Sequence, residues 1–206
     1  MTRRESLEQR WQRMSLIENE LRAAGISLIA GVDEAGRGPL AGPVAVAAVI
    51  LSPDARILGL NDSKKLSEKQ RLALEPIIKE QAVAWNVTMI DHEVIDKINI
   101  LQATKLGMRQ AVAALEPPAA YLLVDGMELD GVELTQQGLI KGDARSVSIA
   151  AASVLAKTAR DRLMIALDSE YPGYGFARHK GYPTAEHKEA LRRLGPCPIH
   201  RLTFKY

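Results

Sequence analysis

Apolar positions at Leu7, Trp11, Met14, Ile17 and Leu21 recur every three or four residues on a charged background, which predicts a leading helix over residues 5–24. Gly25 stops it. The period then changes. Residues 27–32 (SLIAGV) make a short apolar run expected to be a buried strand, and residues 44–51 (VAVAAVIL) make a second whose unbroken apolarity implies burial on both faces. The segment between them is too short and too rich in glycine and proline for a crossover helix, so antiparallel pairing is expected.

Residues 61–66 (NDSKKL) form a polar loop, after which Ser67 and Gln70 compose a capping box that opens a helix running to about Ala82. A third strand is expected over 84–90 and helices over 92–98 and 101–115, the last stopped by Pro117 and Pro118. Residues 121–124 (YLLV) give a short buried strand ended by Asp125 and Gly126, and 139–141 a weaker one closed by Gly142 and Asp143. A long helix follows over 146–169. In it Ala150, Ser153, Ala156 and Lys157 set mostly small residues on one face, suited to close packing on a sheet. Residues 171–183 (YPGYGFARHKGYP) are a glycine, proline and aromatic loop with more than a connecting role, and Thr184 caps a last helix to Leu194. The tail from 195 is expected to be extended and basic. This succession predicts an α/β fold, a mixed sheet with helices on both sides.

A length of 206 residues suits one domain, 1–206, with residues 3–24 as an N-terminal helical extension. Apolar residues make up 47% and charged residues 25%, which excludes disorder and fibrous classes. The apolar runs are far shorter than the roughly 20 residues of a membrane helix, and no secretory leader pattern opens the chain, so a cytoplasmic protein is expected. The single cysteine, Cys197, precludes an internal disulfide or a thiolate zinc cluster. A net charge of +2 announces no partner, but cations gather at Lys64, Lys65, Lys69 and Arg71, at Arg178, His179 and Lys180, and at Arg192, Arg193, His200, Arg201 and Lys205. Each run alone reads as a solvated face.

Candidate chemistry centres on residues 31–43 (GVDEAGRGPLAGP), where Asp33 and Glu34 fall at the expected end of the first strand. Two negative charges at a buried strand end repel each other unless a cation stands between them. Asp125 and Asp143 repeat the arrangement of a carboxylate at a strand end beside glycine. One such residue is ordinarily a surface turn; four in one topological position can converge at the crevice beyond parallel strand ends. Oxygen ligands without histidine or cysteine select Mg²⁺ or Mn²⁺ and point to phosphoryl chemistry. His179 and His187 lack a second histidine at ligand spacing and read as surface residues, while Lys157 and Arg160 face either the site or its supporting acids.

The blocks GVDEAGRGPLAGPV, NDSKKLS, LLVDG, KGD, SIAAASVLAKTARDR and YGFARHKGYPT resemble, in order, the signature blocks of bacterial ribonuclease HII, over residues 31–184. The resemblance implies a ribonuclease H-like fold with a mixed five-stranded sheet, its second strand antiparallel. It implies that Asp33, Glu34, Asp125 and Asp143 are the catalytic metal ligands, holding two Mg²⁺ or Mn²⁺ ions during catalysis with Asp33 bridging them. It places the substrate-binding residues at Gly36, Arg37, Gly38 and Tyr182, the glycines approaching the 2′-hydroxyl and the tyrosine stacking on the next deoxyribose. Ser63, Lys64 and Lys65 are expected to grip the nucleic-acid backbone. The implied activity is endonucleolytic hydrolysis of the RNA strand of RNA/DNA hybrids and nicking of duplex DNA 5′ to embedded ribonucleotides, leaving 3′-hydroxyl and 5′-phosphate ends. The expected partners are therefore such hybrids and ribonucleotide-containing DNA, for a monomer with no membrane contact. Alternatives are an enzyme similar to ribonuclease HIII that prefers longer RNA stretches, disfavoured by the GRG turn, and a non-catalytic hybrid-binding module, disfavoured because four acids facing phosphates would not help a binder.

Overall fold

Alternation along one strand explains the two faces of the sheet. In the computed structural model, which describes residues 5–205, β2 (Val44–Leu51) sends Ala45, Ala47, Val49 and Leu51 into one apolar layer and Val46, Ala48 and Ile50 into the opposite one. The first layer packs beneath α3 (Glu68–Gln81) and α5 (Val147–Glu170), the second beneath α4 (His92–Ala113). Continuous apolarity therefore reports burial on both sides, as expected. The sheet has the order β3-β2-β1-β4-β5, with β1 (Ile29–Ala35) antiparallel to β2 and parallel to β4 (Tyr121–Asp125). β2 also runs antiparallel to β3 (Ala82–Ile90), and β4 parallel to β5 (Gln136–Leu139). It is the mixed five-stranded sheet with the second strand reversed.

The small face of α5 lets the helix sit against β1. A Cβ built on Gly31 would lie 2.1 Å from the Ser148 carbonyl carbon, so only glycine permits this approach. Ala150, Ala151 and Ala152 continue the contact.

Several boundaries differ from the sequence reading. The leading helix is two, α1 (Leu7–Met14) and α2 (Leu16–Ala23), broken at Ser15, whose hydroxyl donates to the Trp11 carbonyl at 2.8 Å. Residues 3 and 4 of the expected extension lie outside the described residues. β1 does not end before the acids but continues through Asp33 and Glu34 to Ala35, paired with β2 throughout. The last strand is Gln136–Leu139 rather than 139–141; its polar QQG hides it, because the Gln136 side chain is consumed by the Leu129 N–H (2.7 Å) and carbonyl (3.0 Å). The expected break between helices 92–98 and 101–115 is present inside α4 at Asn99 (φ 66). The loop 171–183 contains α6 (Phe176–His179), and α7 (Ala185–Leu194) follows the Thr184 cap.

The tail is not an extended basic strip. His200 bridges Ala41, and both His200 and Arg201 are buried, because the Arg201 guanidinium is consumed by the carbonyls of Gly36, Arg37, Pro39 and Gly42. Among the described residues, no helix is long and apolar enough to cross a membrane.

Candidate active site

Strand alternation sorts the acids. Ala30 and Val32 of β1 and Leu122 and Val124 of β4 point toward α4, so Asp33 and Asp125 point together to the α5 side. Parallel pairing of Val32 with Val124 brings those two acids abreast. Asp143 arrives from the turn after β5, where Lys141 takes a left-handed conformation (φ 55) and the Gly142 N–H donates to Asp125 Oδ1 at 2.6 Å. One carboxylate oxygen from each of Asp33, Asp125 and Asp143 lies within 4.8 Å of the others. Glu34, adjacent in the strand, stands beside this trio, close enough for its charge to act on Asp33 and to feel that of Asp125. Its Oε2 is buried without a hydrogen-bond partner, and its Oε1 lies 3.5 Å from Arg37 Nη1.

The cluster is electrostatically unfavourable as it stands. Burial, followed by the charges of Glu34 and Asp125, holds the Asp33 carboxyl well above the usual range. Burial with the neighbouring Asp62 and Asp125 pushes Asp143 up to about 6, and burial raises Glu34 against the pull of Arg37. Lys64 Nζ approaches Asp143 Oδ2 only to 4.0 Å from a side chain that is 79% exposed. An all-oxygen donor set without an internal cation, with an orphaned buried carboxylate oxygen beside it, fits a hard divalent cation.

An open cleft over the cluster is lined by Asp62, Lys64, Lys65, Asp125, Lys141 and Asp143. Asp62 and Lys141 were not singled out in the sequence, although each adjoins a motif that was. Lys64 and Lys65 are exposed on the rim. Ser63 is buried, and its carbonyl accepts from Arg71 Nη1 at 3.2 Å, so it shapes the turn through its main chain. Arg37 and Gly38 are exposed on the turn between β1 and β2. A Cβ on Gly38 would stand 3.9 Å from the Tyr182 ring, itself 37% exposed, so that turn and tyrosine share one surface. Gly36 is different: its φ is +95, and a Cβ there would meet Arg160 Nε at 2.0 Å. Its bareness is needed by a buried guanidinium.

His179 and His187 are not surface residues. Both are buried, their rings stacked with centroids 4.5 Å apart, and His187 Nε2 lies 3.1 Å from His200 Nε2. Helical periodicity could not show this, since their partners come from the aromatic loop and the tail. Arg160 is also buried and serves carbonyls, while Lys157 pairs with Asp161 at 2.6 Å.

Comparison with known proteins places this geometry in context. The family model described as Ribonuclease HII matches residues 30–206. The chain is 54% identical over 189 residues to Ribonuclease HII of Moorella thermoacetica, covering 92% of each protein. It is 53% identical over 195 residues to Ribonuclease HII of Acetivibrio thermocellus, covering 95% of this chain and 76% of the relative. The crystal structure of ribonuclease H2 from Pyrococcus horikoshii superimposes with a TM-score of 0.72 at 28% identity, covering 86% of this chain and 93% of that one.

Proposed function

The chain belongs to the ribonuclease HII family and is a ribonuclease H, an endonuclease of RNA/DNA hybrids; from that premise we propose how its residues carry the reaction. Asp33, Glu34, Asp125 and Asp143 hold divalent cations, Mg²⁺ or Mn²⁺, two of them during the cut. The observation that supports this is the convergence of three carboxylates from two parallel strand ends and a tight turn within 4.8 Å. When bound, such cations supply Lewis-acid polarisation and neutralise charge that develops on the phosphodiester.

The protein's own groups prepare that site. The Gly142 N–H orients Asp125, and the Glu34 N–H donates to Asp33 Oδ1 at 2.7 Å, so two carboxylates present their remaining lone pairs to the cleft. Lys64 and Lys65 on the rim attract the backbone of any hybrid without reading its sequence. The exposed backbone at Gly38 approaches the 2′-hydroxyl, which is both donor and acceptor, and Tyr182 beside it stacks on the following deoxyribose. Together they set the cut on the 5′ side of an embedded ribonucleotide, leaving a 3′-hydroxyl and a 5′-phosphate. The substrates are RNA/DNA hybrids and ribonucleotide-containing duplex DNA, taken by a monomer in the cytoplasm.

A duplex DNA with one ribonucleotide, incubated with Mg²⁺ or Mn²⁺ and resolved on a denaturing gel, is expected to be nicked 5′ to that nucleotide, and chelation is expected to stop it. An intact duplex under saturating metal rejects the proposal.

A further inference from the structure

Tyr182 sits on a glycine-rich loop, yet its proposed task is a sub-ångström one, and loops are mobile unless tied down. The tie comes from α5. Arg160, completely buried, donates from Nε to the Pro43 carbonyl (2.8 Å) and from Nη2 to that of Ala41 (3.0 Å). Its Nη1 reaches the Lys180 carbonyl (2.9 Å), two residues before Tyr182. One rigid fork therefore joins the turn leading into β2 to the tyrosine loop. Leu40 N donates to the Gly181 carbonyl at 2.8 Å, and a Cβ on Gly181 would press to 2.8 Å from the Ala41 carbonyl oxygen, so the two segments are in backbone contact.

The same helix supports the ring. Arg160 Cζ lies 6.0 Å and Lys157 Nζ 5.4 Å from the Tyr182 ring centroid, both within range of cation–π attraction. Lys157 is fixed by Asp161, whose other oxygen accepts from Arg71 at 3.2 Å, and Arg71 in turn holds the Ser63 and Leu66 carbonyls. The backbone-gripping turn and the tyrosine are thus referenced to one helix.

We propose that Lys157 and Arg160 are positioning residues for junction discrimination, holding the Tyr182 ring at a fixed gap from the Gly36–Gly38 turn. This rests on the reading of Tyr182 as the sensor of the deoxyribose that follows the ribonucleotide. The gap matters because a displacement of about 1 Å can cost on the order of a hundredfold in rate. A long hybrid offers many registers and does not depend on one sugar pair meeting that gap.

The test is the ratio of kcat/KM on a single-ribonucleotide duplex to kcat/KM on a continuous RNA/DNA hybrid, measured for Lys157→Met, Arg160→Lys, Tyr182→Ala and the doubles with Tyr182→Ala. Each single variant is expected to lower the ratio about tenfold, and the doubles no further than Tyr182→Ala alone. An unchanged ratio in Lys157→Met, or losses that multiply in the doubles, overturns the proposal. If Arg160→Lys fails to fold by circular dichroism, Lys157→Met decides by the same criterion. Should Tyr182→Ala depress both substrates equally, the sensor reading itself fails and the inference with it. A selective Tyr182→Ala beside a non-selective Lys157→Met rejects the inference alone.

Discussion

Asp33 illustrates how a residue proposed to hold a cation can be costly to the fold that carries it. Its carboxylate is buried among Glu34, Asp125 and Asp143, and each like charge raises the cost of ionising it. Replacing Asp125 with asparagine removes one of those charges while keeping an acceptor for the Gly142 N–H. In metal-free buffer Asp125→Asn is therefore expected to raise the melting temperature by a few degrees, about 1 kcal/mol. Added Mg²⁺ or Mn²⁺ is expected to stabilise the wild type more than the variant, whose turnover falls about a thousandfold or more. Differential scanning fluorimetry with and without metal checks both halves, and a variant destabilised in chelator would show that Asp125 is structural. The acids were legible in the sequence because each is a charge beside a glycine at the end of an apolar run. What was not legible is that the first strand runs on through Asp33 and Glu34 to Ala35: the expected strand ended at the pair, so its pairing with β2 was not carried through them.

Elements show the opposite balance. α2 belongs to the N-terminal extension, outside the blocks that carry the candidate chemistry, yet Glu18, completely buried, accepts from the Ser146 hydroxyl at 2.5 Å and from the Ser148 N–H at 3.0 Å. Ser146 is the N-cap of α5, and a carboxylate there satisfies free N–H groups and meets the positive end of the helix. Because α5 carries Lys157 and Arg160 and follows directly on the Asp143 turn, the N-terminal pair of helices secures the frame of the site from behind. Glu18→Ala is expected to lower unfolding stability by about 1–3 kcal/mol, read as a fall in urea midpoint at unchanged slope. A shift under a few tenths of that would mean the cap is carried by Ser146 alone. Most elements were legible from periodicity and caps, α3 above all through its Ser67–Gln70 box. β5 was not, since an edge strand stabilised by a glutamine side chain has no apolar period to read.

At the scale of the whole molecule, His200 and Arg201 close over the turn between β1 and β2, and histidines form the seam. The partners assign each ring one neutral tautomer: the Cys197 N–H donates to His200 Nδ1 (2.9 Å), His200 Nε2–H to His187 Nε2 (3.1 Å), and His187 Nδ1–H to the Tyr182 carbonyl (3.0 Å). His179 is set likewise between the Gly181 N–H and the Tyr174 carbonyl. A proton added to the accepting nitrogen of any ring would face a donor. Burial accordingly lowers His179 and His187, and takes His200 down to about 4, with the Cys197 carbonyl 3.2 Å from Nδ1 opposing and His187 and His92 adding to the fall. For a histidine whose folded pKa lies below the unfolded value of about 6.5, the unfolded chain binds the extra proton, so stability is lost as pH falls between those values. His200 alone then removes about 2 kcal/mol between pH 7 and pH 5. Asp143, pushed up to about 6, works in the other direction, its contribution declining as pH rises from about 4 to 6. Urea midpoints of wild type and His200→Gln across this range separate the two, because Asp143 contributes equally to both proteins. The wild type is expected to lose stability toward pH 5 more steeply than the variant, and parallel curves would show that the folded ring takes up its proton as readily as the unfolded one.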